Sequence, residues 1–239
     1  MEVSNATRFI NAYNKIDVKI RALYNYKSAQ SFSDCIRRSA LVNSIIRKYE
    51  DELVDFARLR NAIVHKSYDE KIIAVPCDEA VALIEHVEKL LYAPPKIADY
   101  LTEKKIVSVD DRLSIKQVIM MFEKTGHSSM PVYHDGVMIC IINSKRIVKE
   151  IGKIIVKGKN VSEFINGTAI GEILLDDDFN TYYKLLAKTD SLEEVLNAFE
   201  ENKKLLAVVI SEKGIKGERI VNFITAVDLA QINKILEEY

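Results

Sequence analysis

Residues 114–122 read SIKQVIMMF and residues 191–199 read SLEEVLNAF, so one stretch of this sequence occurs twice. Each copy begins with Ser and has Gln or Glu three residues later, which is the capping box that starts a helix. Each copy also keeps apolar residues on one helical face. We therefore predict two copies of one amphipathic helix.

The duplication extends beyond this helix and relates residues 97–148 to residues 170–231. Apolar runs follow both helices, and the second copy is longer in a turn that contains Gly214. The copies then realign at Ile141 and Phe223. A supersecondary unit usually occurs twice because one copy cannot bury its apolar face alone. We expect the two copies to fold together.

The first ninety-odd residues differ from the rest of the chain. They contain no glycine and place apolar residues at three- and four-residue steps, which is typical of helices. These steps predict an all-α helical bundle. Consecutive prolines at 94 and 95 then stop the helical pattern and mark the end of the bundle. Its predicted helices cover about residues 6–24, 31–43, 45–66 and 78–92.

After residue 94, short β-branched runs alternate with helical patterns. Each copy of the duplication reads as a short helical lead-in, a strand, a capped helix, two strands and a closing helix. The fold class is therefore predicted to be α+β. The predicted domains are residues 1–94 and 95–239, with the first repeat at about 95–152 and the second at about 168–239.

Composition limits the function. The chain has 34 basic and 35 acidic residues, and this net charge of −1 argues against binding of duplex DNA, although RNA could be contacted locally. Cys35, Cys77 and Cys140 have no C-x-x-C spacing, so we expect neither a disulfide scaffold nor a metal site. The apolar runs have the length of strands, so we expect a cytoplasmic protein with no membrane partner.

One basic residue stands on an otherwise apolar helical seam. The seam recurs at steps of three and four residues, and its members are Ile46, Tyr49, Leu53, Phe56, Arg60 and Ile63. A buried guanidinium needs acceptors or a water-filled groove. One interpretation is that Arg60 extends to the surface at a helix end while His65 caps the last carbonyls.

A second interpretation uses the whole segment from Arg60 to His65, which reads RNAIVH and resembles the R-x4-H motif of HEPN domains. The resemblance implies a helical bundle that often forms a homodimer, and that acts as a metal-independent ribonuclease or as a binding module. In a ribonuclease, His65 would be the general acid or base, Arg60 would hold the phosphate and Asn61 would orient the histidine. Two residues separate Tyr68 from His65, which departs from a toxin-type subgroup that has one intervening residue.

The duplicated half resembles a pair of cystathionine-β-synthase (CBS) domains, which fold together as a Bateman module. This resemblance rests on the element order of both copies and on Thr225 and Asp228, which follow the last predicted strand with the spacing T-x-x-D. It implies two packed β-α-β-β-α repeats that bind an adenine nucleotide such as AMP, ADP or ATP and regulate an attached domain.

The T-x-x-D turn has two interpretations. Thr225 at a helix start could take a phosphate while Asp228 accepts the ribose hydroxyls, or the pair could simply cap the helix. The first repeat has Asn143 and Arg146 at the matching positions, so we predict at most one well-formed nucleoside site. By analogy with the family, the base would lie near His127, Ser128 and Ser129.

These observations leave two hypotheses. In the first, the CBS pair binds an adenine nucleotide and controls the HEPN-like helical domain. In the alternative, that domain is a metal-independent ribonuclease whose activity the nucleotide gates.

Overall fold

The structure, a computed structural model, describes residues 4–65, 67–68, 71–72, 74–103, 105–174 and 182–239. Of residues 65, 67, 68, 71 and 72 it describes the backbone only. The chain divides into two compact units: unit 1 takes Met1–Lys96, Ser191–Glu201 and Gln231–Tyr239, and unit 2 takes Ile97–Asp190 and Asn202–Ala230. Two segments of the predicted second repeat thus belong to unit 1, and the domain bounds 1–94 and 95–239 stay a prediction.

The N-terminal part of unit 1 is helical. Its elements are α1 (Asn5–Tyr24), α2 (Phe32–Ser39), α3 (Ser44–Lys48), α4 (Glu50–His65), the short antiparallel strands β1 (Ser67–Tyr68) and β2 (Lys71–Ile72), and α5 (Asp78–Tyr92). Helix α1 begins where the Ser4 hydroxyl accepts a hydrogen bond from the Thr7 amide, and it ends at Asn25 in the left-handed conformation. Its buried face includes Phe9, whose ring meets Phe56 of α4 edge to face.

The single helix predicted at 45–66 is wrong, because the structure divides it into α3 and α4. The break lies at Tyr49, whose φ and ψ of −110° and 22° are outside the helical range. Three acidic residues, Glu50 to Glu52, then form the first turn of α4. Acidic side chains are favoured at the positive end of a helix, so these residues favour a separate helix that begins at Glu50.

The second half of the chain repeats one order of elements. After α6 (Ile97–Tyr100), the first copy contains β3 (Val109–Asp110), α7 (Ile115–Thr125), β4 (Ser129–His134), β5 (Val137–Asn143) and α8 (Ser144–Val156). After α9 (Val161–Gly167) and a 3₁₀ turn (Ile170–Ile173), the second contains β6 (Tyr183–Ala187), α10 (Leu192–Glu201), β7 (Ala207–Ser211), β8 (Ile220–Ile224), a 3₁₀ turn (Ala226–Asp228) and α11 (Leu229–Glu238).

Each copy contributes one three-stranded sheet with the same topology. The sheet orders are β3-β4-β5 and β6-β7-β8, and in each sheet the first pair is parallel and the second antiparallel. The parallel pair needs a crossover, which α7 supplies in the first sheet and α10 in the second. Both predicted capping boxes are confirmed, at Ser114 with Gln117 and at Ser191 with Glu194.

Unit 2 is held by apolar side chains from both sheets. Residues of the two sheets share one buried cluster, which consists of Met138, Ile141, Tyr183, Ala207, Val209 and Ile220. A second cluster lies between the first sheet and its helices and includes Val118, Met130 and Cys140. Burial raises the pKa of the Cys140 thiol to about 12, so this cysteine stays protonated and behaves as an apolar side chain.

Helix α10 carries a carboxylate into unit 1. The Asn43 side-chain amide donates to Glu193 Oε1 at 2.5 Å, and Asn197 donates to the same oxygen at 3.4 Å. The Ser44 amide in turn donates to Asn197 Oδ1 at 2.9 Å, which ties α10 to the start of α3. Burial is the main cause of a raised pKa of Glu193, because desolvation penalises the charged form.

This carboxylate predicts a pH dependence of stability. Because its pKa is raised on folding, its contribution to stability is complete below the ordinary value of 4.5 and is lost as the pH rises through the folded value. We expect Glu193→Gln to raise the melting temperature at pH 7 to 8, and the gain to disappear near pH 4. Thermal melts across this range measure it, with Glu123→Gln, an exposed change on α7, as the control. A pH-independent difference between wild type and Glu193→Gln would contradict the prediction.

The two glycines in the turn between β7 and β8 should differ in how strongly a substitution by alanine destabilises the protein. Gly214 has φ of +71°, and a Cβ on it would lie 2.7 Å from the Ala187 amide nitrogen. Gly217 has φ of +94°, but no atom of the described residues lies within 4 Å of its Cβ position. We expect Gly214→Ala to lower the free energy of unfolding by about 3 kcal/mol, against roughly 1–2 kcal/mol for Gly217→Ala. Urea denaturation measures both, and equal losses would show that the close approach to Ala187 is unimportant.

Candidate functional site

A pocket of about 340 Å³ opens in unit 2, within the size range of small-molecule sites. It brings together all five residues that the sequence analysis assigned to a nucleotide: Thr225, Asp228, His127, Ser128 and Ser129. The remaining lining residues are Lys105, Ile106, Val107, Gly126, Pro131, Phe223 and Val227. The two copies of the duplication thus supply opposite walls of one cleft. Their role in ligand binding stays a prediction.

One wall is the turn between β8 and α11. Thr225 has an extended backbone, and the 3₁₀ turn Ala226–Asp228 follows it directly. The Thr225 amide donates to Asp228 Oδ2 at 2.8 Å, and the Thr225 hydroxyl lies 3.0 Å from the same oxygen, to which it donates. The capping interpretation of T-x-x-D therefore describes a real interaction in this structure.

Capping and ligand binding by this turn are compatible. An ionised carboxylate has about four acceptor positions, so Asp228 can accept more hydrogen bonds than the two from Thr225. The Thr225 hydroxyl has its one proton directed at Asp228, so it meets an incoming ligand as an acceptor. A phosphate needs donors, and the ammonium of Lys105 is the cation in this lining. The T-x-x-D pattern predicts a phosphate at Thr225, whereas Lys105 carries no sequence signal that distinguishes it from other lysines.

The opposite wall follows the end of α7. Gly126 ends this helix with φ of +68°, and its amide donates to the carbonyl of Phe122. His127 and Ser128 are then exposed, while Ser129 begins β4 and is half-buried. The Ser128 carbonyl accepts a hydrogen bond from the Ser144 amide at 3.1 Å, which fixes this segment against the start of α8.

The apolar lining of the pocket comes from the segment before β3. Ile106 and Val107 are half-buried, and Phe223 of β8 lines the same cleft. Ile106 and Val107 belong to a β-branched run, but β3 contains only Val109–Asp110. Ile106 and Val107 thus line a pocket and do not belong to the sheet. Their apolar pattern alone could not distinguish these two situations.

Unit 2 contains a second pocket, of about 420 Å³, at the positions that correspond to the first by sequence repeat. Asn143 and Arg146 line it, as their alignment with Thr225 and Asp228 requires. The Arg146 guanidinium donates to the Ile173 carbonyl at 2.8 Å and pairs with Glu150 at 3.0 Å. This cleft is therefore built from different chemistry, and the prediction of at most one nucleoside site stays open.

The residues of the R-x4-H motif lie in unit 1. The Arg60 guanidinium stands 6.0 Å from the centre of the Tyr13 ring, and its Nη1 donates to Asn61 Oδ1 at 3.4 Å. Burial, with a smaller contribution from Asp17, raises the pKa of Tyr13 to about 12. The side chain of His65 lies outside the described residues. Arg60 thus packs on an aromatic ring, and a ribonuclease role for Arg60, Asn61 and His65 stays a prediction.

Two general findings concern the described part of the chain. It contains no group of three or more His, Cys, Asp or Glu side chains that could hold a metal ion. Its helices also include none that is both long enough and apolar enough to cross a membrane.

Comparison with known proteins gives one family match. Residues 97–153 match the family model of the CBS domain, which supports the resemblance predicted for the first repeat. An uncharacterized protein of Methanocaldococcus jannaschii is 40% identical over 53 residues, which are 22% of this chain and 20% of that protein. The matched part of this chain thus covers about a fifth of the relative's length.

Several solved structures are similar at low sequence identity. The CBS domain of the bacterial CNNM/CorC family Mg²⁺ transporter in complex with ATP is 12% identical, with a TM-score of 0.46, and the match covers 63% of this chain and 93% of that one. CBSX2 in complex with AMP is 12% identical, with a TM-score of 0.44 and coverage of 60% and 98%. A CBS domain pair in complex with 5′-methylthioadenosine and S-adenosyl-L-methionine is 15% identical, with a TM-score of 0.41 and coverage of 59% and 97%.

The Thr225 turn predicts a stability effect that is separate from any ligand. Asp228→Ala removes the acceptor of the Thr225 amide and hydroxyl, so we expect it to lower the free energy of unfolding by about 1 kcal/mol. Asp228→Asn keeps one side-chain oxygen as an acceptor, so we expect most of the stability to remain. Denaturation of the ligand-free variants measures both, and an Asp228→Ala protein as stable as wild type would show that the cap is unimportant.

Proposed function

We propose that this protein senses an adenine nucleotide, which binds in the pocket at Thr225 and Asp228 and thereby controls the HEPN-like helical domain. The single observation that carries the proposal is the convergence of five residues on one cleft. These residues come from both copies of the duplication, and the sequence pattern alone predicts them as nucleotide contacts. The AMP and ATP complexes named above belong to other proteins, so the proposal rests on the pocket of this chain.

The lining of the pocket suits the three parts of a nucleotide. The apolar side chains of Ile106, Val107 and Phe223 offer a surface for the flat base, whose edge the hydroxyls of Ser128 and Ser129 can read. The carboxylate of Asp228 can accept the ribose hydroxyls. Lys105 can pair with the phosphate as a point charge. The lining therefore provides a complementary group for each part of AMP.

The route from the pocket to the helical domain follows α11. Thr225–Asp228 leads directly into this helix, and its residues from Gln231 onward belong to unit 1. There Lys48 of α3 pairs with Glu237, and Tyr239 donates a hydrogen bond from its hydroxyl to the Ala93 carbonyl at 2.7 Å. A ligand that favours one arrangement of the turn changes the position of this helix. It then biases the helical bundle through differential binding to two states.

We further propose that the protein acts as a homodimer in the cytoplasm, because HEPN-like and CBS-like modules commonly associate with second copies. Nucleotide binding controls the helical domain whether that domain binds RNA, binds a protein or cleaves RNA.

Ligand binding to the pocket can be measured by thermal stabilisation. A ligand at about a hundred times its Kd stabilises the folded state by about 2.7 kcal/mol, which raises Tm by roughly 5 to 10 °C for a chain of this size. We expect this shift with AMP or ATP for the wild type, and a Kd at least about tenfold weaker for Asp228→Asn. Asp228→Asn is preferable to Asp228→Ala because it preserves most of the cap.

Asp135→Asn is the matched control, since it removes one exposed carboxylate of unit 2 outside the pocket. It should bind AMP as tightly as the wild type. An undiminished shift in Asp228→Asn would place the nucleotide elsewhere, and no shift in the wild type at millimolar AMP, ADP and ATP would remove the sensing function. Hydrogen exchange of residues 231–238 with and without nucleotide tests the route through α11 separately.

A further inference from the structure

The second pocket of unit 2 is strongly basic. Its eleven lining residues include five cations and no acidic residue: Ile141, Asn143, Lys145, Arg146, Lys149, Leu174, Tyr182, Lys203, Lys204, Leu205 and Leu206. The first pocket, by contrast, is lined by one lysine, one histidine and one aspartate. The two clefts of one chain differ in charge although they are built at equivalent positions.

The positive charge arises at specific repeat positions. Four residues of the first pocket have a cation at the equivalent repeat position of the second pocket. The pairs are Gly126 and Lys203, His127 and Lys204, Val227 and Lys145, and Asp228 and Arg146. Each exchange adds positive charge or removes negative charge. Lys149, one turn after Lys145 on α8, adds a fifth cation. The charge therefore comes from both walls of the cleft at once.

These cations have few internal partners in the described part of the chain. Glu150 pairs with Arg146 and also with Lys153, which lies outside the pocket lining. The four lysines of the lining have no carboxylate within 4 Å among the described residues. Asp176, Asp177 and Asp178 follow the lining residue Leu174 in sequence, and they lie outside the described residues.

Electrostatics favours an anion in this pocket. Four lysines line a cavity of about 420 Å³, so their positive charges repel one another, and an anion bound in the cavity relieves this repulsion. The thirteen-residue helix α8 begins at the same cleft, and its positive end adds to the attraction. The electrostatic attraction is stronger for a compact anion with several charges than for a singly charged anion.

The same pocket is poorly suited to a nucleoside. Leu205 and Leu206 stand where the first pocket has Ser128 and Ser129, so the hydroxyls that could read a base are missing. Arg146 replaces the carboxylate that could accept ribose hydroxyls, and it donates to the Ile173 carbonyl. Apolar side chains such as Leu205 remain in the lining, but its charged groups are all cations, and their natural complement is phosphate oxygen.

We propose that this pocket, hereafter the lysine pocket, binds a compact oligophosphate of the pyrophosphate or tripolyphosphate class, independently of the nucleotide in the first pocket. Lysine ammonium groups bind phosphate as point charges and do not require one fixed orientation of the ligand. Two oligophosphates of different length can therefore be accommodated by the same four lysines. The site then gives unit 2 two ligands of different chemistry.

Isothermal titration calorimetry with sodium pyrophosphate and tripolyphosphate, in buffer without divalent cations, tests the proposal on the full chain. We expect saturable binding of one equivalent to the wild type, which weakens as NaCl is raised. The double variant Lys149→Gln/Lys204→Gln should bind at least about tenfold more weakly. Lys116→Gln/Lys216→Gln has the same change in net charge outside the pocket and should bind like the wild type.

Two further measurements separate this site from the first pocket. Asp228→Asn should bind pyrophosphate with the wild-type affinity, and adenosine should not displace it. Absence of saturable binding at millimolar pyrophosphate, as expected if the chain's own acidic residues neutralise the lysines, would overturn the proposal. Equal affinity in the Lys149→Gln/Lys204→Gln variant would also overturn it, as would displacement by adenosine. None of these results depends on whether AMP binds at Asp228.

Discussion

Neither three-stranded sheet of unit 2 can bury its apolar face alone, and the architecture of this unit follows from that constraint. The two sheets solve it by sharing one cluster, in which Met138 and Ile141 of the first sheet meet Tyr183 and Val209 of the second. Their packing places the strand ends and the following turns of one copy beside those of the other. Clefts between the copies are a direct result of this packing, and the side chains at the turns decide what each cleft can hold.

The sequence was most informative where a local interaction determines local structure. Ser114 and Ser191 predict the starts of their helices because each forms a capping box. In it, the serine hydroxyl and the side chain of the residue three positions later both accept hydrogen bonds from backbone amides of the first turn. Thr225 and Asp228 were recognisable for the same reason. The element order of both copies followed from such signals, and so did the wall of the first pocket that contains this turn.

Other features depend on contacts that a pattern cannot show. The seam from Ile46 to Phe56 is buried as its periodicity suggests, yet the chain leaves the helix at Tyr49 without losing the apolar rhythm. The helix α9 had no predicted counterpart, because the sequence between the two copies was not covered by the repeat. The charge of the lysine pocket is not evident from the sequence, since its cations lie on separate elements and converge only when the sheets pack.

Unit 1 includes α10 and most of α11, so two helices of the second copy contribute to a core other than that of their own sheet. Their polar contacts there are specific ones. Glu193 is held by two asparagine side chains, at a cost in desolvation that an apolar residue would not have. We interpret this carboxylate as a contact that fixes the position of α10.

The separate linings of the two clefts have an evolutionary consequence. No described residue lines both pockets, although Ser129 of the first is paired with Asn143 of the second in the β4–β5 ladder. After duplication, equivalent positions could therefore diverge, as the carboxylate of Asp228 and the guanidinium of Arg146 show. A single ancestral scaffold could in this way come to hold two clefts of different charge.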